Sequence, residues 1–238
     1  MNYTWEELAD NVVRCRLPFL DVTVGVIWGR LGAALVDSGS TLTEARAIRA
    51  DVEQMTGREV SHVVLTHHHF DHVLGSSAFD GAAVYCAPAA ATSMTDHSER
   101  LRSEALQYGA KPREVDEAVG ALRRPQHEVE SDVIDLGDRV LSISHLGRGH
   151  TDHDLVAVVE GAERRVVFCG DLVEESDDPA IDGGSDTAAW PGTLERLLEA
   201  GGQHAVYIPG HGATVDAGFV RRQQRWLANR VTKSDPRL

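Results

Sequence analysis

Thr66-His67-His68-His69-Phe70-Asp71-His72 packs four histidines and an aspartate into six consecutive positions, in a chain of 238 residues that holds 12 histidines. So many imidazoles cannot all be satisfied in an apolar core, and imidazole with carboxylate is the donor set of zinc and similar divalent ions. A solvated histidine-rich loop is the plain alternative for this segment taken alone. Three further segments weigh against it: Gly149-His150-Thr151, Gly170-Asp171 and Gly210-His211-Gly212. Each places one potential ligand beside glycine, where a small neighbour lets the backbone turn sharply.

The elements that must position these residues are read from periodicity. Val60–Thr66 is a β-rich run leading into the histidine cluster, and Val140–Ile143, Val166–Cys169 and Ala205–Ile208 are runs that end just before the other three segments. Four strand ends delivering donors to one edge of a sheet describe a metal site. Elsewhere Val22–Trp28 and Ala33–Val36 read as a hairpin, and Ala82–Cys86 and Leu155–Val159 as strands. Thr41–Gly57, Pro191–Ala200 and about Val215–Val231 read as helices, the first with Ser40 and Thr41 as its cap and Gly57 past its end. From about Pro88 to Glu130 the composition turns to Ala, Glu, Arg and Gln, which predicts a helical insertion. Strands alternating with helices and no dividing linker predict one α/β domain over residues 1–238.

Composition narrows the function. Lys and Arg number 23 against 37 Asp and Glu, a net charge of −14 without basic runs, which speaks against nucleic acid as partner. No apolar run approaches the roughly 20 residues of a membrane span, and Glu6, Glu7 and Asp10 do not fit an export signal. Cys15, Cys86 and Cys169 are odd in number and lack C-x-x-C spacing, so a thiolate zinc site is excluded and a reducing cytoplasm is the default. The partner this leaves is a small-molecule substrate; the oligomeric state is open.

In these motifs the chain resembles the metallo-β-lactamase-fold hydrolases. The likeness rests on His67-x-His69-x-Asp71-His72, then His150, Asp171 and His211 in the family's order, and on the turn Val36-Asp37-Ser38-Gly39 ahead of them. It spans about residues 22 to 212. It implies an αββα sandwich of two mixed sheets flanked by helices, with metals at one rim. Carried over residue by residue, it implies that His67, His69 and His150 hold one Zn2+, that Asp71, His72 and His211 hold a second, and that Asp171 bridges them; Mn2+ or Fe are alternative metals. A hydroxide shared by the two ions would attack a carbonyl, with Asp71 orienting it and carrying a proton. Asp37 would support the metal loop through hydrogen bonds.

Departures from the family pattern narrow the reaction. Aspartate at position 171, where the lactamases have cysteine, resembles the glyoxalase II and lactonase branches, and Glu174 stands where those lactamases place a lysine. The expected activity is zinc-dependent hydrolysis of an ester, thioester or lactone, with weak β-lactam cleavage or a mononuclear iron sulfur dioxygenase as alternatives. Between two ligands, His68 is expected to point away from the metals, and His153 to lie at the surface. Strand alternation predicts that Cys169 faces the same way as Asp171, near the metals, with a small buried thiol as the favoured account of it. The insertion, the loop Glu174–Asp186 and the apolar Leu17, Pro18, Phe19 and Leu20 are expected to wall the cleft.

Overall fold

A computed structural model describes residues 2–234. Two sheets face one another through their apolar sides. The first runs in spatial order from β1 (Trp5–Ala9) through β2 (Val12–Arg16), β3 (Thr23–Trp28), β4 (Ala33–Val36), β5 (Val60–Val64) and β6 (Ala83–Cys86) to β7 (His127–Glu128). Its first four strands form an antiparallel meander, and β4 to β7 pair in parallel. The second sheet has the order β12 (Val206–His211), β11 (Val166–Glu174), β10 (Leu155–Glu160), β9 (Val140–His145) and β8 (Ser131–Asp135), antiparallel except where β11 and β12 lie parallel.

Alternation along the strands feeds three separate apolar layers. Ile27, Ala34, Val64, Phe168 and Ile208 are among the residues that fill the space between the sheets. Outside the first sheet, α1 (Leu42–Thr56), α3 (Pro88–Asp96), α4 (Ser98–Gln107) and α5 (Pro112–Ala121) bury Ile48, Met94, Leu101 and Val115. Beyond the second sheet, α6 (Trp190–Gly201) and α7 (Ala217–Ser234) bury Trp190, Leu194, Val220 and Leu227. The result is the αββα sandwich. Helix α1 begins as its sequence predicts: Thr41 accepts from the Glu44 backbone N–H, and Gly57 closes the helix in the left-handed region.

Departures from the sequence reading fall where periodicity is weakest. Strands β1 and β2 precede the expected hairpin; exposed Glu6 and Glu7 in β1 and a buried Arg14 in β2 hide the pattern. The helical insertion ends at Ala121, and β7 at its far end pairs with β6. Among the described residues no helix is long and apolar enough to cross a membrane.

Trp190 fixes α6 to the second sheet, since its ring is fully buried and its Nε1 donates to the Leu172 carbonyl at 3.0 Å. Trp190→Ala should cost about 3–5 kcal/mol by leaving a large cavity, read as a lower midpoint in urea unfolding followed by far-ultraviolet circular dichroism.

Candidate metal centre

Both sheets contribute to one rim. Past the end of β5 the chain turns through His67, His68 and His69 into the short helix α2 (Phe70–Val73), which carries Asp71 and His72 in its first turn. From the second sheet come His150, in the loop after β9, and Asp171 and His211, at the irregular ends of β11 and β12 where their register shifts. Gly170 makes the kink that aims Asp171: its φ of +52° lies in the left-handed region. Gly210 lies so close to Asp171 that a Cβ there would fall 1.8 Å from the carboxylate Oδ1.

The seven donors gather in two groups, His67 with His69, His150 and Asp171, and Asp71 with His72 and His211, each having ligand atoms within 4.8 Å of one another. Asp171 joins them. Its Oδ2 lies 3.5 Å from His67 Nε2, 3.4 Å from His150 Nε2 and 3.4 Å from His211 Nε2, while Oδ1 is 3.3 Å from His72 Nε2. Between imidazoles, His67 Nε2 and His150 Nε2 stand 3.1 and 2.9 Å from His69 Nδ1, and the Nε2 atoms of His72 and His211 stand 3.4 Å apart. Asp71 Oδ2 is 3.4 Å from His211 Nε2.

The outward ring nitrogens settle which way the lone pairs point. His150 Nδ1 faces the Ala180 carbonyl at 3.0 Å and His211 Nδ1 the Leu20 carbonyl at 2.7 Å; a carbonyl only accepts, so each Nδ1 carries the proton. His72 Nδ1 likewise meets the Asp37 carboxylate at 2.9 Å. The Nε2 of each neutral ring is then a bare acceptor, turned toward other acceptors. Together with Asp171 Oδ1, which is buried without a hydrogen-bond partner, these groups fit divalent ions.

Charge tells the same story. Burial pushes His67 down and His150 to about 4, while for His211 the neighbouring Asp171 and Asp71 outweigh burial and lift it to about 10. His72 is raised against burial by Asp171, Asp71 and Asp37; Asp171 is held well below the usual carboxylate range because His211, His72 and His67 overcome its desolvation. Positive charge is demanded at the centre whichever species supplies it.

Around the donors sits a supporting layer. Asp37, itself at a positive φ of 61°, accepts from the Thr66 backbone N–H at 2.8 Å and from its hydroxyl, so it ties the histidine turn to β4 while facing His72. His68 turns away from the centre as expected, but its partner is a correction. His153 is buried, not superficial, with its Nε2 2.9 Å from His68 Nδ1 and its Nδ1 2.6 Å from Asp152. Nothing in the spacing of His153 signals a partner 85 residues away. Thr151 braces the ligand loop by donating its hydroxyl to Asp154, whose burial raises its carboxyl to about 7. Cys169 is a buried thiol as expected, but it does not share a face with Asp171. It packs with Val167 and Leu172 on the helix side of its sheet, because the Gly170 kink interrupts the period before Asp171.

A cleft of about 660 Å³ opens over the donors. Helix α4 supplies Arg100 and Glu104 to one wall and the loop after β11 supplies Asp177, Asp178, Ile181 and Asp182 to the other, as the insertion and loop were expected to. Of the apolar segment 17–20 only Leu20 reaches the lining; Leu17 belongs to the core. The sequence reading passes over Asp182, whose carboxylate stands 3.6 Å from His69 Nε2.

Comparison with known proteins gives the family and the fold. The Metallo-beta-lactamase superfamily profile matches residues 17–211. Human acyl-coenzyme A thioesterase MBLAC2 is 32% identical over 182 residues, which is 72% of this chain and 62% of that protein, so the chain spans less than two thirds of that relative's length. The Bacillus cereus metallo-beta-lactamase type 2 is 22% identical over 191 residues, 79% of this chain and 66% of that one. A metallo-beta-lactamase structure from Pontibacter korlensis superposes with a TM-score of 0.73 at 18% identity, covering 96% of this chain and all of that one. With two sheets stacked as in that structure and a family match running from just after β2 to His211, the chain belongs to the metallo-beta-lactamase superfamily.

Proposed function

We propose that the chain is a dinuclear, zinc-dependent hydrolase that cleaves an ester, thioester or lactone in a small-molecule substrate. The observation that carries this reading is the gathering of six other donors in two groups about Asp171, whose Oδ1 is buried without a hydrogen-bond partner. His67, His69 and His150 would hold one ion and Asp71, His72 and His211 the other, with Asp171 spanning both; manganese or iron would fit the same donors. Bound ions of this kind supply Lewis acidity and lower the pKa of water. The likeness to acyl-coenzyme A thioesterases supports a thioester among the bonds named. Three buried, unpaired cysteines accord with a reducing, cytoplasmic setting.

The protein's own part is positioning and proton transfer. The Ala180 and Leu20 carbonyls and the Asp37 carboxylate lock three imidazoles in one tautomer and one plane. Asp71 lines the cleft, so its carboxylate is placed to take a proton from the attacking water and pass it to the leaving oxygen or sulfur. The acyl carbon enters from the cleft between α4 and the loop after β11. The second donor group also favours this reading over the mononuclear iron dioxygenase, which would leave Asp71, His72 and His211 idle. Glu174, in the lactamase lysine's place, lines the cleft with a carboxylate held by Ser176, which would disfavour an anionic β-lactam.

Metal analysis tests the assignment: about two zinc ions per chain are expected after loading, whereas one iron with oxygen consumption would reverse it. Asp171→Ala should abolish hydrolysis and release at least part of the zinc, read by activity and by elemental analysis of the same sample. Gly210→Ala should act indirectly, since its methyl group displaces the Asp171 carboxylate: zinc affinity should fall roughly 10–100-fold, the range for disturbing a ligand's support, while circular dichroism keeps the wild-type fold signature.

A further inference from the structure

Resting on the hydrolase reading, the charge and apolar surface of the cleft mouth say which acyl compounds it admits. Five carboxylates line the walls outside the donor groups, those of Glu104, Glu174, Asp177, Asp178 and Asp182, against the single guanidinium of Arg100. Arg100 is already engaged. Its Nε donates to Glu104 at 2.6 Å and its NH2 lies 3.9 Å from Asp182, so it offers no unpaired charge to a phosphate. On the opposite wall Arg230 lies 4.0 Å from Asp178. Asp177 is exposed. The same mouth carries two large apolar side chains that the fold leaves open, Tyr108 at 61% and Ile181 at 42% exposure, one on each wall. Tyr108 lies against Phe70, with ring centroids 5.7 Å apart, so its ring extends an apolar surface from beside the donor groups to the rim. Beneath them Asp171 Oδ1 waits, buried and unpartnered, at the floor of the cleft.

We propose that this cleft hydrolyses acyl compounds whose leaving group is uncharged or cationic and excludes those carried on coenzyme A, with Asp177 and Asp178 as the residues that set the discrimination. A nucleotide leaving group bears several phosphates and would have to lie across a rim whose described lining residues carry five carboxylates outside the donor groups against one guanidinium. Like charges so placed raise KM and slow association. An apolar acyl chain has the Tyr108 and Ile181 surfaces to cover, and burying them favours it. The likeness to acyl-coenzyme A thioesterases therefore extends to the bond broken and stops at the carrier.

The test compares one acyl group on two carriers. The butyryl thioester of N-acetylcysteamine keeps the thiol end of coenzyme A without its nucleotide, and butyryl-coenzyme A is its charged counterpart. With zinc-loaded full-length protein at low salt, kcat/KM for the neutral thioester should exceed that for the coenzyme A ester by at least about tenfold. Added sodium chloride should narrow the gap by screening the rim. The double variant Asp177→Asn with Asp178→Asn should move the ratio toward the coenzyme A ester by about three- to tenfold. An equal or higher kcat/KM for the coenzyme A ester, or a ratio that neither salt nor the double variant moves, overturns the proposal. Titration calorimetry of both compounds on the same protein separates this from a failure of the hydrolase reading. If neither is turned over, that reading falls, while tighter binding of the neutral thioester still bears the discrimination out and tighter binding of the coenzyme A ester still refutes it.

Discussion

Asp171 is the group on which the rest of the molecule turns. Its two oxygens reach histidines of both donor groups, and those histidines belong to both sheets. A carboxylate in that position sits within 3.5 Å of four imidazole nitrogens, three of which present lone pairs once their outward nitrogens have bonded to the chain. In an interior of low dielectric such an arrangement is unfavourable unless positive charge occupies its centre. Protons on His72 and His211 are one way to supply it, and divalent ions at the same point are the other. The sandwich therefore has to hold its sheets in one offset, because a slip of about 1 Å would separate the donor groups. The apolar layer of Ala34, Val64, Phe168 and Ile208 provides that rigidity.

Orientation of the rings couples the centre to the cleft walls. Ala180 belongs to the loop after β11, and its carbonyl fixes His150; Asp182 in the same loop faces His69; and Leu20, whose carbonyl fixes His211, also lines the cleft. Ile181, between the two anchors of that loop, and Asp177 and Asp178 just before them line the wall a substrate meets. A change in wall conformation is thus also a change in how firmly two imidazoles are held. Cleft wall and donor groups are tied together in this chain.

What was legible in the sequence follows from range. The strands leading to His67, His150, Asp171 and His211 show in short apolar runs, and the helix α1 shows in its cap and its terminal glycine, because these signals are local. The segment His67–His72 stood out because four histidines crowd six positions, and His150, Asp171 and His211 because each adjoins glycine, while their division between two ions came from the family resemblance. Strands β1 and β2 were not, since exposed Glu6, Glu7 and Arg16 mask their alternation. The pairing of His68 with His153 and the approach of Asp182 to His69 depend on how two loops fold over one another, and no spacing records that. Alternation misplaced Cys169 for a related reason: it assumes an unbroken strand, and Gly170 breaks it.

The net charge of −14 takes on a location. Two of the carboxylates, Asp71 and Asp171, stand among the donors, and two divalent ions would bring the total to about −10. A cluster of divalent cations open to water attracts phosphate, which binds such ions tightly and would compete with a carbonyl for them. The carboxylates of Glu104, Asp177, Asp178 and Asp182 line the cleft that leads to the donor groups. Their field opposes the approach of anions over roughly a Debye length, about 8–10 Å at ordinary ionic strength, and leaves a neutral carbonyl compound unaffected. The acidity of the mouth and the positive charge demanded at the floor are then two parts of one device, in which the walls decide what the floor is allowed to bind.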